Sequence, residues 1–404
     1  MFGPKALRMV PAHHRSIAFV CFTCVIGCST SSIEGDVEIL HDTISTDATG
    51  DDAGAPARLQ NEQSLETIAS SQALGPYPVT QTTITLIDPS RSTPGFANEP
   101  ELSQRELTCE VWFPGGMDGP APLVVHGHGF LSSRLDSHGL ATLLASHGAV
   151  VVAPDFPMTR RGLPGAPVII DALEQGSDIV FIVKALREKR GPAAPSWMSL
   201  IDPERWFATG VSLGAYSALI AGRGQWPNFS PPLGIVAMAP ASCFLKQSEL
   251  KSDTPLLILH GSADAILPIE AHAEPLFRAV RGPSWMVTLD GGTHTGCVDA
   301  TATLFEDLAH ADVLGCDALD GRVGHPEDLL ARLGNPEARL SPCPAPCSNG
   351  ATQMAAMKTT RQVELMYAAV MAFWRLTVEE KDSAQDFLER VMPAEASDLS
   401  VSVK

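Results

Sequence analysis

Arg205-Trp206-Phe207-Ala208-Thr209-Gly210-Val211-Ser212-Leu213-Gly214, continued by a helical run to Ala221, is the stretch on which the fold turns. Arg205 to Thr209 reads as a strand and Leu213 to Ala221 as a helix, and the residues between them spell G-x-S-x-G. In a chain with 33 glycines the bare pentapeptide is a weak signal, but its place between strand and helix is a strong one. A turn this sharp lifts a serine oxygen clear of the backbone only if no Cβ stands two residues to either side, as Gly210 and Gly214 allow. The bland alternative, a serine that caps a helix, gives those glycines no reason to be there.

A serine hydroxyl is a poor nucleophile until a base takes its proton, so a histidine and an orienting carboxylate are sought downstream. Leu256 to Leu259 leads through His260-Gly261-Ser262-Ala263 to Asp264, and Met286 to Leu289 leads through Asp290-Gly291-Gly292-Thr293 to His294. Ser212, Asp264 and His294 thus each follow an apolar strand, at the carboxyl ends where the catalytic groups of open α/β sheets collect. Asp290 is the rival acid, but only four residues from His294 it suits a turn cap better. Two donors are needed for a developing oxyanion: the backbone N–H of Leu213, and one from the loop Val125-His126-Gly127-His128-Gly129-Phe130, where Phe130 is chosen ahead of Gly129. His126 and His128 could share one strand face as metal ligands. No matching acidic or thiol set accompanies them, and no metal and no cofactor is expected.

Around these residues β-rich runs alternate with helical ones. Thr82–Ile87 and Leu107–Phe113 read as a hairpin pair; Leu123–Val125, Ala149–Ala153 and Gly234–Ala239 read as further strands; Ser133–Ser146, Asp178–Leu186 and Gln362–Leu376 read as helices. Unbroken Val and Ile runs suit strands covered on both faces, which predicts an α/β fold with a mostly parallel central sheet flanked by helices. The short link from Ala239 to Leu256 leaves no room for a large cap domain. The cleft would then be open to bulky or polymeric substrates, unless the excursion from 295 to 350 covers it.

These residues resemble the α/β-hydrolase superfamily over Pro76 to Leu376. Within it they look like the dienelactone-hydrolase-like group that includes platelet-activating-factor acetylhydrolases and polyester cutinases. The carriers are Asp88-Pro89-Ser90-Arg91, Trp112-Phe113-Pro114, His128-Gly129-Phe130, the turn at Ser212 and the late block from Ala263 to His294. The resemblance implies a serine hydrolase cleaving carboxylic esters through an acyl-enzyme on Ser212, with Asp264 and His294 as acid and base, and His260 in a structural His-Gly turn. Ala215 stands where these families usually carry another glycine, and the excursion is longer than cutinases have. The alternatives are a serine peptidase or amidase of the same fold, and a non-catalytic surface-binding lipoprotein.

The chain has 404 residues and a formal net charge of −18, which repels phosphate backbones, so no nucleic-acid partner is expected. Lys5, Arg8 and Arg15 precede the apolar run Ile17 to Gly27, too short for a bilayer span, and residues 1–27 read as a signal peptide. Val25-Ile26-Gly27-Cys28 resembles a bacterial lipobox, which implies lipidation at Cys28, the sole attachment to a membrane. Ser29 after it favours the outer membrane of the cell envelope. Residues 28–75 read as a disordered acidic tether in which nine acidic residues face Arg58 alone. The folded domain is expected over 76–380, with 381–404 as a tail. Cys109, Cys243, Cys297, Cys316, Cys343 and Cys347 are expected to form disulfides on an oxidising export route, stapling the excursion, with fifteen pairings open. A zinc site is the rival, but Cys343 and Cys347 lack finger-like spacing.

Overall fold

Nine strands among the described residues share one sheet in the order β1-β2-β4-β3-β5-β6-β7-β8-β9. They are β1 (Val79–Asp88), β2 (Arg105–Pro114), β3 (Ala121–Gly127), β4 (Val150–Pro154), β5 (Ile201–Val211), β6 (Ile235–Met238), β7 (Leu256–Gly261), β8 (Ser284–Leu289) and β9 (Leu399–Val403). β3 to β8 run parallel, while β1 and β2 form the expected hairpin and β9 closes the far edge, antiparallel to β8. The computed structural model describes residues 66–95, 100–163, 167–188, 195–320 and 338–404. The expected signal peptide, Cys28 and all of the expected tether before residue 66 lie outside the described residues.

Period-two alternation sorts each inner strand between two helical layers. Val125 and Ala208 join the core beneath helices Ala172–Glu188 and Leu213–Arg223, whereas Val124 and Phe207 join the core beneath His138–Ser146 and Thr359–Thr377. Each fully buried Val, Leu or Phe on these faces contributes about 1.5–3 kcal/mol, and the short inner strands β4 and β6 carry no polar side chain at all. No cap domain stands between β6 and β7, where the described chain makes only two short 3₁₀ turns.

At the hairpin edge a charge cluster fastens sheet to helix. Arg105, wholly buried at the start of β2, makes paired hydrogen bonds to Asp171 and Asp178 at 2.7–2.9 Å. Arg91 reaches both Asp88 and Asp178, so the Asp88-Pro89-Ser90-Arg91 turn is tied into the same cluster. Removing one member of such a buried set leaves an uncompensated charge, at a cost of about 3–5 kcal/mol.

Both ends of the folded region extend further than the sequence suggests. Residues 66–75, expected to end a disordered tether, include the helix Ile68–Ser71, capped by the Thr67 hydroxyl. Ile68 is buried and Glu66 pairs with Arg375; the segment's average acidity hid that one apolar anchor. Residues 381–404, expected to be a tail, supply β9 and bury Phe387, Leu388, Met392 and Leu399. The C-terminal strand occupies what would otherwise be an exposed sheet edge.

The cysteine expectation is met for four of the six. Cys243 pairs with Cys343 and Cys316 with Cys347, while Cys109 and Cys297 are free and buried. Cys109 sits inside β2 with its thiol on the Leu107 carbonyl, and Cys297 packs against Gln362, so neither has a partner sulfur to meet. The excursion is stapled to the link after β6 as well as within itself. Closing loops of 31 and 100 residues restricts the unfolded chain by roughly 3–5 kcal/mol each in a chain-entropy account.

Candidate active site

Ser212 occupies the junction of β5 and the helix Leu213–Arg223 with φ 57° and ψ −117°, a left-handed conformation that costs a non-glycine residue on the order of 1–3 kcal/mol. Close approach of backbone makes the flanking glycines necessary. A Cβ on Gly210 would stand 2.3 Å from the Gly214 carbonyl oxygen, and one on Gly214 would stand 2.0 Å from that of Gly127. The Ser212 N–H donates to the Met238 carbonyl at 2.9 Å, and its own carbonyl accepts from Ala241 at 3.1 Å. The turn is therefore held from β6 as well as β5. Although Ser212 sits at a helix N-cap, its side chain makes no capping bond, which disposes of the bland reading of that serine.

Asp264 and His294 come together at the ends of β7 and β8. His294 Nδ1 and Asp264 Oδ2 are 2.8 Å apart, and Asp264 Oδ1 accepts the N–H groups of Ile266 and Leu267 at 2.9 and 2.6 Å. Burial opposes ionisation of Asp264, but His294, His260 and their hydrogen bonds outweigh it and hold the carboxyl well below the usual range. Burial likewise disfavours a charged His294, yet the negative charge of Asp264, their hydrogen bond and the charge of Asp312 lift its pKa above the ordinary 6.5. With Nδ1 taken by Asp264, Nε2 is the nitrogen left for chemistry.

Ser212, Leu213, Phe130 and His294 line one cavity of about 450 Å³. Asp264 lies behind His294, almost fully buried. No hydrogen bond joins the Ser212 hydroxyl to His294, and catalytic bonds of this kind commonly tighten on substrate binding. The N–H groups of Phe130 and Leu213 carry no hydrogen bond to described residues, so both are free donors beside Ser212. Gly129 brings that loop close: a Cβ there would be 3.2 Å from Ser212 Cβ.

The neighbouring histidines have other engagements. His128 accepts the Phe156 N–H on Nε2 at 2.9 Å and donates from Nδ1 to the Gly129 carbonyl at 2.7 Å, which fixes the loop carrying Phe130. His126 bonds Thr209 through Nδ1, and burial pushes its pKa down to about 3. His260 Nε2 lies 2.7 Å from the Leu267 carbonyl and 3.2 Å from Asp264 Oδ2, so it touches the acid that sequence placed merely downstream of it. His272, which sequence did not single out, lines the cavity and is held neutral by burial, its pKa pushed down to about 3. Asp290 is exposed and accepts a hydrogen bond from Ser262. No group of three or more His, Cys, Asp or Glu side chains is arranged to hold a metal ion among the described residues.

The described part of the excursion after His294 reaches the cleft: Phe305, Leu314, Leu319 and residues 343–346 form part of the cavity wall, in keeping with the second of the two arrangements the sequence left open. Composition could not reveal this, because the segment returns to the cavity through long-range contacts and a disulfide.

No protein-family model matches the chain. Among curated proteins it is similar to the esterase YjfP of Escherichia coli (strain K12), 27% identical over 209 residues, an alignment that takes in 42% of this chain and 81% of that protein.

The geometry makes a direct prediction for the imidazole. In a pH titration followed by NMR of labelled histidine, His294 should titrate above 6.5 in the wild type. In Asp264→Asn the midpoint should fall, because burial is then opposed by the charge of Asp312 alone. An unchanged midpoint in that variant would contradict the pairing.

Proposed function

We propose that the protein is an exported, lipid-anchored serine hydrolase that cleaves carboxylic esters through an acyl-enzyme on Ser212. The observation that carries the reading is the 2.8 Å contact of Asp264 with His294 Nδ1 beside a cavity that the strained Ser212 also lines. Ser212 Oγ attacks the carbonyl carbon and its proton passes to His294 Nε2, while the carbonyl electrons collect on an oxygen held by the N–H groups of Leu213 and Phe130. Collapse re-forms the carbonyl and breaks the C–O bond; the departing alkoxide takes the proton from His294. Water then attacks the acyl-serine by the same path, giving the acid and free Ser212. Asp264 keeps the imidazole in the tautomer that leaves Nε2 able to accept. No cofactor enters this scheme.

The ester rather than amide reading is supported by the similarity to an esterase, since the same three groups cleave both bonds. The cavity favours an uncharged, largely apolar substrate. Its walls are mostly aliphatic and aromatic, and the Asp136 and Arg161 that reach it are paired with each other at 2.6 Å. With the excursion as a wall, small to medium esters suit it better than a polymer strand. Export is supported by the two disulfides, which belong to an oxidising compartment, and the anchor by the lipobox-like Val25-Ile26-Gly27-Cys28.

A fluorophosphonate probe should label the wild type and not Ser212→Ala, and that variant should lose at least about 10³-fold in kcat on p-nitrophenyl esters. Equal labelling of both proteins would defeat the assignment, and faster cleavage of peptide anilides than of esters would move it to an amidase. Separately, Cys28→Ser expressed in a bacterial host should leave the membrane fraction for the soluble one; unchanged membrane retention would contradict the anchor.

A further inference from the structure

Asp312 opens the excursion helix Asp312–Leu319 and is wholly buried, yet no Lys or Arg among the described residues pairs with it. Its two oxygens accept three backbone N–H groups instead: Ala265 at 2.9 Å and His294 at 3.0 Å on Oδ2, and Thr295 at 2.6 Å on Oδ1. One donor directly follows Asp264; the other two are His294 itself and its successor. Only a carboxylate fits, because it has lone pairs for all three donors and no hydrogen of its own, whereas an amide would set an N–H against one of them.

The same stretch of excursion holds the Asp264 loop at further points. His310 Nε2 donates to the Ala263 carbonyl at 3.1 Å, and His310 Nδ1 accepts the Asp312 N–H at 3.3 Å. The Cys347 N–H donates to the Ala265 carbonyl at 2.8 Å, and Asn349 donates to the Asp264 carbonyl at 3.2 Å. The Cys316–Cys347 bridge joins these two parts of the excursion.

We propose that Asp312 is a positioning residue: from outside the sheet it fastens the loop of Asp264 to the loop of His294 and so fixes the carboxylate against the imidazole. The proposal rests on the serine-hydrolase reading. It makes the excursion part of the catalytic support, which a wall around a pocket need not be. The groups that face His294 are Asp264 from the loop after β7, Asp312 from the excursion helix and His272 from the segment before Ala273–Ala279, while the buried Cys297 thiol of its own turn is engaged by Thr293 and Gln362. Burial lowers the His294 pKa, while Asp264 and then Asp312 raise it.

Asp312→Asn, made in the full chain and assayed with p-nitrophenyl butyrate, should lose about 10–100-fold in kcat with KM held within about twofold. The acid limb of its kcat/KM profile should move to lower pH, since the imidazole loses one of the two charges that raise its pKa. Wild-type kcat with an unmoved acid limb overturns the proposal. So does a kcat loss that tracks a fall in melting temperature while the acid limb stays in place, for that is packing alone. If Asp312→Asn does not fold, His310→Ala replaces it, with a kcat loss of about tenfold at unchanged KM expected and undiminished kcat overturning the proposal. Failure of the fluorophosphonate probe on the wild type would remove the hydrolase reading and the proposal together. A labelled wild type with an unaffected Asp312→Asn removes the proposal alone.

Discussion

Gly214 passes so close to the loop after β3 that a single methyl group on it would stand 2.0 Å from the Gly127 carbonyl oxygen. That approach packs the first turn of the helix Leu213–Arg223 against the end of β3, and two features follow from it. Ser212 is forced into its left-handed conformation at the crest of the turn, and the loop through Gly129 and Phe130 is brought over it. The proposed nucleophile and oxyanion donors are thus brought together by one backbone contact. The strain at Ser212 falls at the end of β5, where Trp206, Phe207, Ala208, Thr209 and Val211 are buried.

The second half of the site is electrostatic. Asp264 sits where an isolated carboxylate would be costly, and it is kept ionised because two backbone N–H groups and the His294 imidazole donate to it, with His260 Nε2 also 3.2 Å away. Its charge then raises the basicity of His294 against the effect of burial. The result is an imidazole whose pKa lies above that of a free one although it is nearly buried, which suits the general base proposed for it. Because Asp312 of the excursion bonds the loops of both residues, a segment that would otherwise count as an irregular insertion is tied to the proposed chemistry.

Much of this was legible in the chain. The inner strands announce themselves as unbroken Val, Ile and Leu runs, and Ser212, Asp264 and His294 each follow one, so the mostly parallel sheet and the placement of these residues at strand ends come from local pattern, whereas the order of the strands does not. What escaped depends on contacts far apart in sequence. Asp312 has no motif and acquires meaning only beside Ala265, 47 residues away. The pairing of Cys243 with Cys343 spans 100 residues, and burial in β2 leaves Cys109 without a partner for reasons no spacing encodes. Leu399-Ser400-Val401-Ser402-Val403 does alternate as an edge strand should, but five residues do not name the strand they will join, which only the open edge of β8 supplies. The anchoring of Ile68 was masked by the acidic residues around it.

The account reduces to a covalent bond formed at one oxygen. Mixing the protein with a slowly deacylating ester, quenching in acid within the first turnover and mapping the digest by mass spectrometry reads that bond directly. The account predicts one acyl group per chain, carried on the peptide that contains Ser212 and absent when His294 is replaced by Ala. Rapid ester turnover with no acylated peptide, or acyl transfer to any other residue, would contradict it.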